Sequence, residues 1–267
     1  MGFNNEMEKT GKPKKRVQVH VPYPMLVERL DEVIDVGINP EVYMDGEDLE
    51  GAEPEELKRI KEVLDRYDRR ITLHGPFMDL NPGSADEGKR LRTVAMYKRA
   101  FEAASYLRPK VMVLHAGFKA SWFDGDVGLW IEKSLKTWPE FVKRAEDLGI
   151  TIAAENTFER EPGPIKRLVE EIGSPSFRLC IDSGHLNVYS EVEIEEWFRV
   201  LGAYVAEVHL HDNFGAIDDH LPIGDGTIDF AAFFRLLKTY SNDPVYTIEP
   251  HGEEVLFRAI DAVMRYI

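Results

Sequence analysis

His74, His115, Glu155, Asp182 and Glu249 each close a short β-branched or apolar run, in RITLH, VMVLH, ITIAAE, FRLCID and VYTIE. His209 lies near the end of VAEVHLH, and His185 follows Asp182 by three positions in IDSGH. Imidazole nitrogens and carboxylate oxygens suit divalent first-row metals, and burying many ionisable groups together is costly unless something pairs with them. A single strand-end histidine is more simply a hydrogen-bonded structural residue. The same coincidence on six separate runs is not. The residue types therefore point to a shared divalent-metal site (Zn, Mn, Co, Fe or Mg, one to three ions), with Glu155, Asp182, His209 and Glu249 as principal ligands. Cys180 is the only cysteine, which excludes a thiolate cluster and an internal disulfide and leaves nitrogen and oxygen to hold any metal.

Such a site forms only if the fold brings the ends of distant runs together. Short apolar runs alternate with longer amphipathic stretches along the chain, as expected of repeated βα units and a parallel sheet. Eight strand candidates begin at Val17, Pro40, Arg70, Val111, Ile150, Phe177, Val205 and Val245. Helical periodicity fills the gaps, in LVERLDEVI, ELKRIKEVLDRY, RTVAMYKRAFEAASYL, IEKSLKTWPEFVKRAEDL and FAAFFRLLKTY. Ser84 with Glu87, and Ser190 with Glu193, have the spacing of capping boxes. At 267 residues the chain suits an α/β fold, a single (β/α)8 TIM barrel, which typically takes about 250. The expected organisation is a polar N-terminal tail over 1–15 and the barrel over 16–267. Loops after strands form the functional face of a barrel, so the long HDNFGAIDDHLPIGDGT segment after the seventh strand matters most. Its GDGTIDF part lies outside any Rossmann unit and reads as loop-to-helix geometry, not a dinucleotide site.

Bulk properties narrow the function classes. Hydrophobic residues make up 43% and charged residues 30%, an ordinary globular balance. The net charge of −15, from 48 acidic against 33 basic residues, disfavours a nucleic-acid partner. The basic KPKKR run reads as a solvated leader. No apolar run approaches the roughly 18 to 20 residues of a membrane helix, and the N-terminus is polar and not signal-like. The expectation is a cytoplasmic protein with no membrane partner, with a homo-oligomer left open.

The runs LHGPFMDLNPGS, VLHAGF, AAENTF, CIDSGHLN, VHLHDN, DDHLPIGDGTIDF and TIEPHG together resemble the xylose isomerase-like TIM-barrel superfamily, which holds sugar isomerases and epimerases as well as endonuclease IV-type AP endonucleases. The resemblance runs from about Val17 to the end. Its epimerase branch implies a metal on Glu155, Asp182, His209 and Glu249. There Glu155 and Glu249 exchange a proton with the carbon beside a carbonyl on opposite faces, and His185 hydrogen-bonds a substrate oxygen. Its endonuclease branch implies a larger ligand set made of His74, His115, Glu155, Asp182, His185, His209, Asp218, His220 and Glu249. After ENTF the chain continues EREPGP, not the Gly-Gln-Gly usual in those endonucleases, and the loop after the seventh strand lacks the arginine that ketose epimerases commonly carry. In texture, HLHDN followed by DDHLPIGDGTID resembles predicted sugar-phosphate isomerases and epimerases most.

The leading expectation is a metal-dependent sugar or sugar-phosphate isomerase or epimerase with a small carbohydrate substrate. The alternatives are a metal-dependent phosphodiesterase or AP endonuclease, and a noncatalytic sugar-binding barrel. His211, Asn156 and Trp122 are the candidate substrate contacts. Phe77, Phe123 and Phe158 are candidate walls of the cavity, while His20 and His251 border it.

Overall fold

The structure, a computed structural model, describes residues 17–250 and 252–267; the tail expected over 1–15 and the bordering His251 lie outside the described residues. Strands β1 (Val17–Pro22), β2 (Asn39–Tyr43), β3 (Thr72–His74), β4 (Val111–His115), β5 (Thr151–Glu155), β6 (Phe177–Asp182), β7 (Val205–Leu210) and β8 (Val245–Ile248) pair in parallel in sequence order. β1 pairs with β8, so the sheet closes into the eight-stranded barrel expected of the sequence. Helices between the strands cover its outside. No helix among the described residues is long and apolar enough to cross a membrane.

Side chains alternate across a strand, so each strand gives one set to the barrel interior and one to the helices. The outward set joins the helices in a large apolar core in which Trp130, Trp138, Trp197, Phe141, Phe177 and Phe198 are all fully buried. The inward set is different. A small cluster of Val111, Val113, Ala153 and Cys180 fills one side. The same parity puts Gln18 and His20, Glu41 and Tyr43, Thr72 and His74, and Glu207 and His209 inside, in register across neighbouring strands. The barrel interior is thus polar through much of its depth, and its ionisable part opens at the C-terminal ends of the strands.

Two helices expected as single runs are each split. LVERLDEVI breaks at Arg29, whose backbone leaves the helical region, giving helices Tyr23–Glu28 and Leu30–Val36. IEKSLKTWPEFVKRAEDL breaks before Pro139, which has no amide proton and is tolerated only in the first turn, giving Val127–Ser134 and Trp138–Leu148. Neither capping box forms. Asp86, not Ser84, caps the helix Glu87–Leu107 by accepting from the Lys89 amide, and the Ser84 hydroxyl accepts from the Asp86 amide. Ser190 instead accepts from the Trp197 indole and the Val192 amide, and helix Ile194–Leu201 starts with no side-chain cap.

Candidate metal centre

The strand ends bring the sequence-derived residues into one buried cluster. Glu155, at the end of β5, is its hub: His74 Nε2 lies 3.2 Å and His115 Nε2 3.3 Å from Oε2, and His185 Nδ1 lies 3.2 Å from Oε1. Glu249, just past β8, has His209 Nδ1 at 3.2 Å and His220 Nδ1 at 3.6 Å. Asp182, which ends β6, has His211 Nε2 at 3.0 Å and His209 Nδ1 at 3.8 Å. Asp218, in the long loop after β7, receives His220 Nε2 at 3.1 Å and His185 Nε2 at 3.3 Å.

Local sequence explains much of this placement. Asp182 caps the helix Ser183–Tyr189 by accepting from the His185 amide at 2.7 Å, so the Asp-x-x-His spacing sets His185 one turn along, over the same opening. Gly184 lies against the His211 ring; a Cβ there would collide with it. His220 has a left-handed backbone (φ 50°), which turns its side chain back over the cluster, where its ring stacks on His211 at 3.9 Å between centroids.

The histidines are oriented as metal ligands are. A ligating imidazole usually donates its other N–H to a carbonyl or carboxylate, which fixes the tautomer. His74 Nδ1 donates to Gly75 O at 2.9 Å and His185 Nδ1 to Asn156 O at 2.9 Å, while His209 Nε2 donates to Glu41 Oε2 at 3.3 Å. Each leaves its second nitrogen facing carboxylate oxygens. His209 Nδ1, His211 Nδ1 and Asp218 Oδ1 are buried without a hydrogen bond, so each is placed to ligate a cation. Three-residue groups whose donor atoms lie within 4.8 Å of one another include His74, His115 and Glu155; His74, His209 and Glu249; and His211, Asp218 and His220. The donor set therefore fits a divalent cation.

Electrostatics within the cluster show the same pairing. Burial opposes ionisation of Glu155, but His115 and His209 beside it hold its carboxyl well below the usual range. Asp182 behaves likewise and is brought down to about 2, the cost of burial being outweighed by His185 and His211. Burial works against charge on His74 too, yet Glu155 lifts it to about 8; Asp218 and Glu249 lift His220 to about 9. His115 goes the other way, burial holding it below its ordinary value.

The remaining expectations separate. Asn156 is buried, with both amide atoms bound to the Asp182 backbone (Oδ1 accepts from N at 2.9 Å), so its side chain ties β5 to β6. His211 lies in the cluster itself and is 1% exposed. Trp122 stands at the rim, about half exposed, edge-on to Phe158 and with the Lys119 ammonium near both rings. Phe77 stacks on His115 at 4.6 Å, whereas Phe123 is buried against Phe118 in the outer core.

Glu41 on β2 and Glu207 on β7, both fully buried, were not among the sequence-derived candidates. Glu41 accepts from His209 and from His20 Nδ1 at 3.2 Å. Glu207, deeper in the barrel, accepts from the Thr72 and Thr247 hydroxyls, and burial beside Glu41 pushes its carboxyl well up. The signal available in the sequence was polar residues at alternate positions of otherwise apolar runs.

The glycine-containing loop expected to be structural is held by Asp212. Its carboxylate accepts from the amides of Asn213 (2.9 Å), Gly224 (3.0 Å), Gly226 (2.9 Å) and Ile228 (3.1 Å). Any Cβ at Gly226 would run into Asn213 O and this carboxylate.

Comparison with known proteins gives consistent results. The family profile described as xylose isomerase-like TIM barrel matches residues 38–266. An uncharacterised protein of Methanocaldococcus jannaschii is 34% identical over 203 residues, covering 73% of this chain and 69% of that protein. Among solved structures, a D-tagatose 3-epimerase-like protein has a TM-score of 0.79 at 29% identity, covering 93% of this chain and 96% of its own. A Thermus thermophilus protein soaked with zinc chloride has a TM-score of 0.76 at 23% identity, over 94% and 98% of the two chains, a likeness of fold.

Proposed function

This chain belongs to the xylose isomerase-like TIM-barrel family, and from that premise we propose that it is a divalent-metal-dependent isomerase or epimerase of a small sugar or sugar phosphate. The observation that carries the reading is the pair of glutamates flanking one imidazole nitrogen: His209 Nδ1 lies 3.2 Å from Glu249 Oε1 and 3.7 Å from Glu155 Oε1. The epimerase-like structural neighbour supports sugar chemistry.

Glu155, Asp182, His209 and Glu249 would hold the principal ion, with His74, His115, His185, Asp218 and His220 around it. A cation there supplies positive charge beside the substrate's carbonyl and hydroxyl oxygens, which makes an adjacent C–H more acidic. One glutamate takes that proton as its carboxylate. The other, in its protonated form, returns one to the same carbon from the opposite face, and the roles exchange in the reverse direction. His185 donates to a substrate oxygen. Trp122 and Phe158 offer ring faces at the rim, and Lys119 beside them suits a phosphate group.

One observation favours a second reading, a multi-metal phosphodiesterase: His74, His115 and Glu155 form one ligand group and His211, Asp218 and His220 another. Several ions can stabilise both attacking and leaving oxygens in phosphoryl transfer. A single experiment separates the two. The protein is incubated in deuterium oxide with Mn²⁺, Co²⁺, Mg²⁺ or Zn²⁺ and a panel of ketoses and ketose phosphates, and deuterium at carbon is read by NMR. Metal-dependent exchange that drops by about 10²- to 10⁴-fold in Glu155→Gln is expected. No exchange with any panel member, together with metal-dependent incision of an abasic duplex that Glu249→Gln abolishes, would replace the first reading with the second.

A further inference from the structure

The outer nitrogens of the cluster histidines are not all held in the same way. His74, His185 and His220 each direct Nδ1 at a backbone carbonyl, of Gly75, Asn156 and Glu249 respectively. Those carbonyls belong to the strand ends and are fixed by the barrel itself. His209 directs Nε2 at a side chain, the carboxylate of Glu41 on β2, on the far side of the barrel interior. Its Nδ1 makes no hydrogen bond and faces Glu249, Glu155 and Asp182 at 3.2, 3.7 and 3.8 Å.

We infer that Glu41 is a positioning residue for the metal centre: by accepting the Nε2–H of His209 it selects the tautomer that leaves Nδ1 bare toward Glu155, Asp182 and Glu249. The inference rests on the metal reading proposed above. An imidazole without that acceptor is free to carry its proton on Nδ1, where it would point at the carboxylates and block coordination. A carboxylate partner also makes the ligating nitrogen more basic, and losing such a partner typically costs about 10- to 100-fold in metal affinity.

Glu41 is suited to the role by its own surroundings. It is fully buried and level with His20 in the β1–β2 register. Its Oε1 accepts from His20 Nδ1 while Oε2 accepts from His209, so the carboxylate is pinned at both oxygens and cannot rotate away. Beneath it, Glu207 accepts from the Thr72 and Thr247 hydroxyls.

The test compares full-length wild type with Glu41→Gln and Glu41→Leu. Zn²⁺ affinity is measured by competition with a chromophoric chelator, and Co²⁺-loaded protein is followed by its visible absorption band. In Zn²⁺-loaded, ¹⁵N-histidine-labelled wild type, the zinc-bound nitrogen of His209 should be Nδ1. Glu41→Leu should weaken Zn²⁺ binding about 10- to 100-fold and shift the Co²⁺ band. Glu41→Gln, whose amide oxygen still accepts but carries no charge, should fall between. Should Glu41→Leu fail to fold, the isosteric Glu41→Gln decides alone. A lowered melting temperature with unchanged Zn²⁺ affinity and Co²⁺ band in both variants would assign Glu41 a packing role only and overturn the inference. Equal binding by all three proteins overturns this inference and leaves the metal reading intact, whereas a wild type that takes up neither ion overturns the metal reading and the inference with it.

Discussion

Asp212 and Asp182 sit at the same end of adjacent strands, and both are fully buried, yet their carboxylates live in opposite chemical settings. Asp212 accepts from four backbone amides, two on each oxygen. Those donors are neutral, fixed by the loop and do not exchange protons in the working pH range. Asp182 accepts one amide, from His185, and otherwise meets imidazoles, as Glu155 and Glu249 do. An imidazole can lose its proton and offer a lone pair to a metal. Burial of a carboxylate is therefore no sign of function by itself. What distinguishes the cluster is that its partners are replaceable by a cation, whereas those of Asp212 can only hold a loop in shape.

The largest expected effect puts this contrast to a direct test in the presence of a chelator. Asp212→Ala leaves four inward-facing amides without an acceptor and should destabilise the fold by about 3 kcal/mol or more, read by urea unfolding. Glu155→Gln should cost clearly less in the same assay, because the imidazoles around it can shed their charge. Addition of Zn²⁺ should then raise the unfolding midpoint of wild type and Asp212→Ala, and that of Glu155→Gln by less. If Glu155→Gln proves the more damaging of the two without metal, the cluster is a structural network and the contrast collapses.

Somewhat smaller is the effect of pH on the metal-free protein. His74 is raised in the fold to about 8 from an ordinary 6.5. A histidine raised in this way contributes stability that is complete below 6.5 and disappears as pH climbs through 8, about 2 kcal/mol for such a shift. His220, raised to about 9, extends the loss upward. His115, held low, opposes it only on the acid side. Metal-free wild type should thus lose stability from pH 6.5 to 8, and Asp212→Ala should show the same slope from a lower start. Metal affinity should rise over the same interval, since ligands must be deprotonated. Parallel slopes for chelated and Zn²⁺-loaded protein would contradict this.

Much of the barrel and of the cluster's membership was readable in the sequence, because a polar residue that closes an apolar run marks the C-terminal end of a barrel strand. Residues such as His74, Glu155 and Asp182 carry that mark. Glu41 does not: it stands within NPEVY, one inward-facing position before Tyr43, and its importance depends on reaching His209 across the interior, a distance no single run encodes. Depth inside the barrel is set by register between strands, and register is a property of pairs. Local signals failed where two partners competed. Ser190 had the spacing of a cap, but its hydroxyl accepts from the Trp197 indole and the Val192 amide instead. Pro139 marks the break in its helix from sequence alone, as its missing amide proton is a property of the residue itself.

Glu159 offers the finest test of what separates the two kinds of carboxylate, because it is intermediate. It is 2% exposed, like the cluster, but its acceptors face backbone amides, like those of Asp212: Thr157 at 2.6 Å and Phe118 at 3.3 Å. Through them it joins the loops after β4 and β5. Burial pushes its carboxyl up to about 7, the backbone amides of Thr157, Glu159 and Phe118 offsetting it only in part. A carboxyl raised above its ordinary 4.5 contributes stability that is complete below 4.5 and is lost as pH rises through 7. Glu159→Gln keeps an acceptor for one amide and does not titrate. It should cost about 1 kcal/mol at pH 5. By pH 8 the difference from wild type should close or change sign, because only wild type then bears a buried charge. Zn²⁺ affinity should be the same in both proteins at either pH. A gap that stays constant from pH 5 to 8 would mean that amides alone satisfy Glu159 as completely as they do Asp212. A change in Zn²⁺ affinity would place it with the cluster, and proximity to the site would then count for more than the nature of its partners.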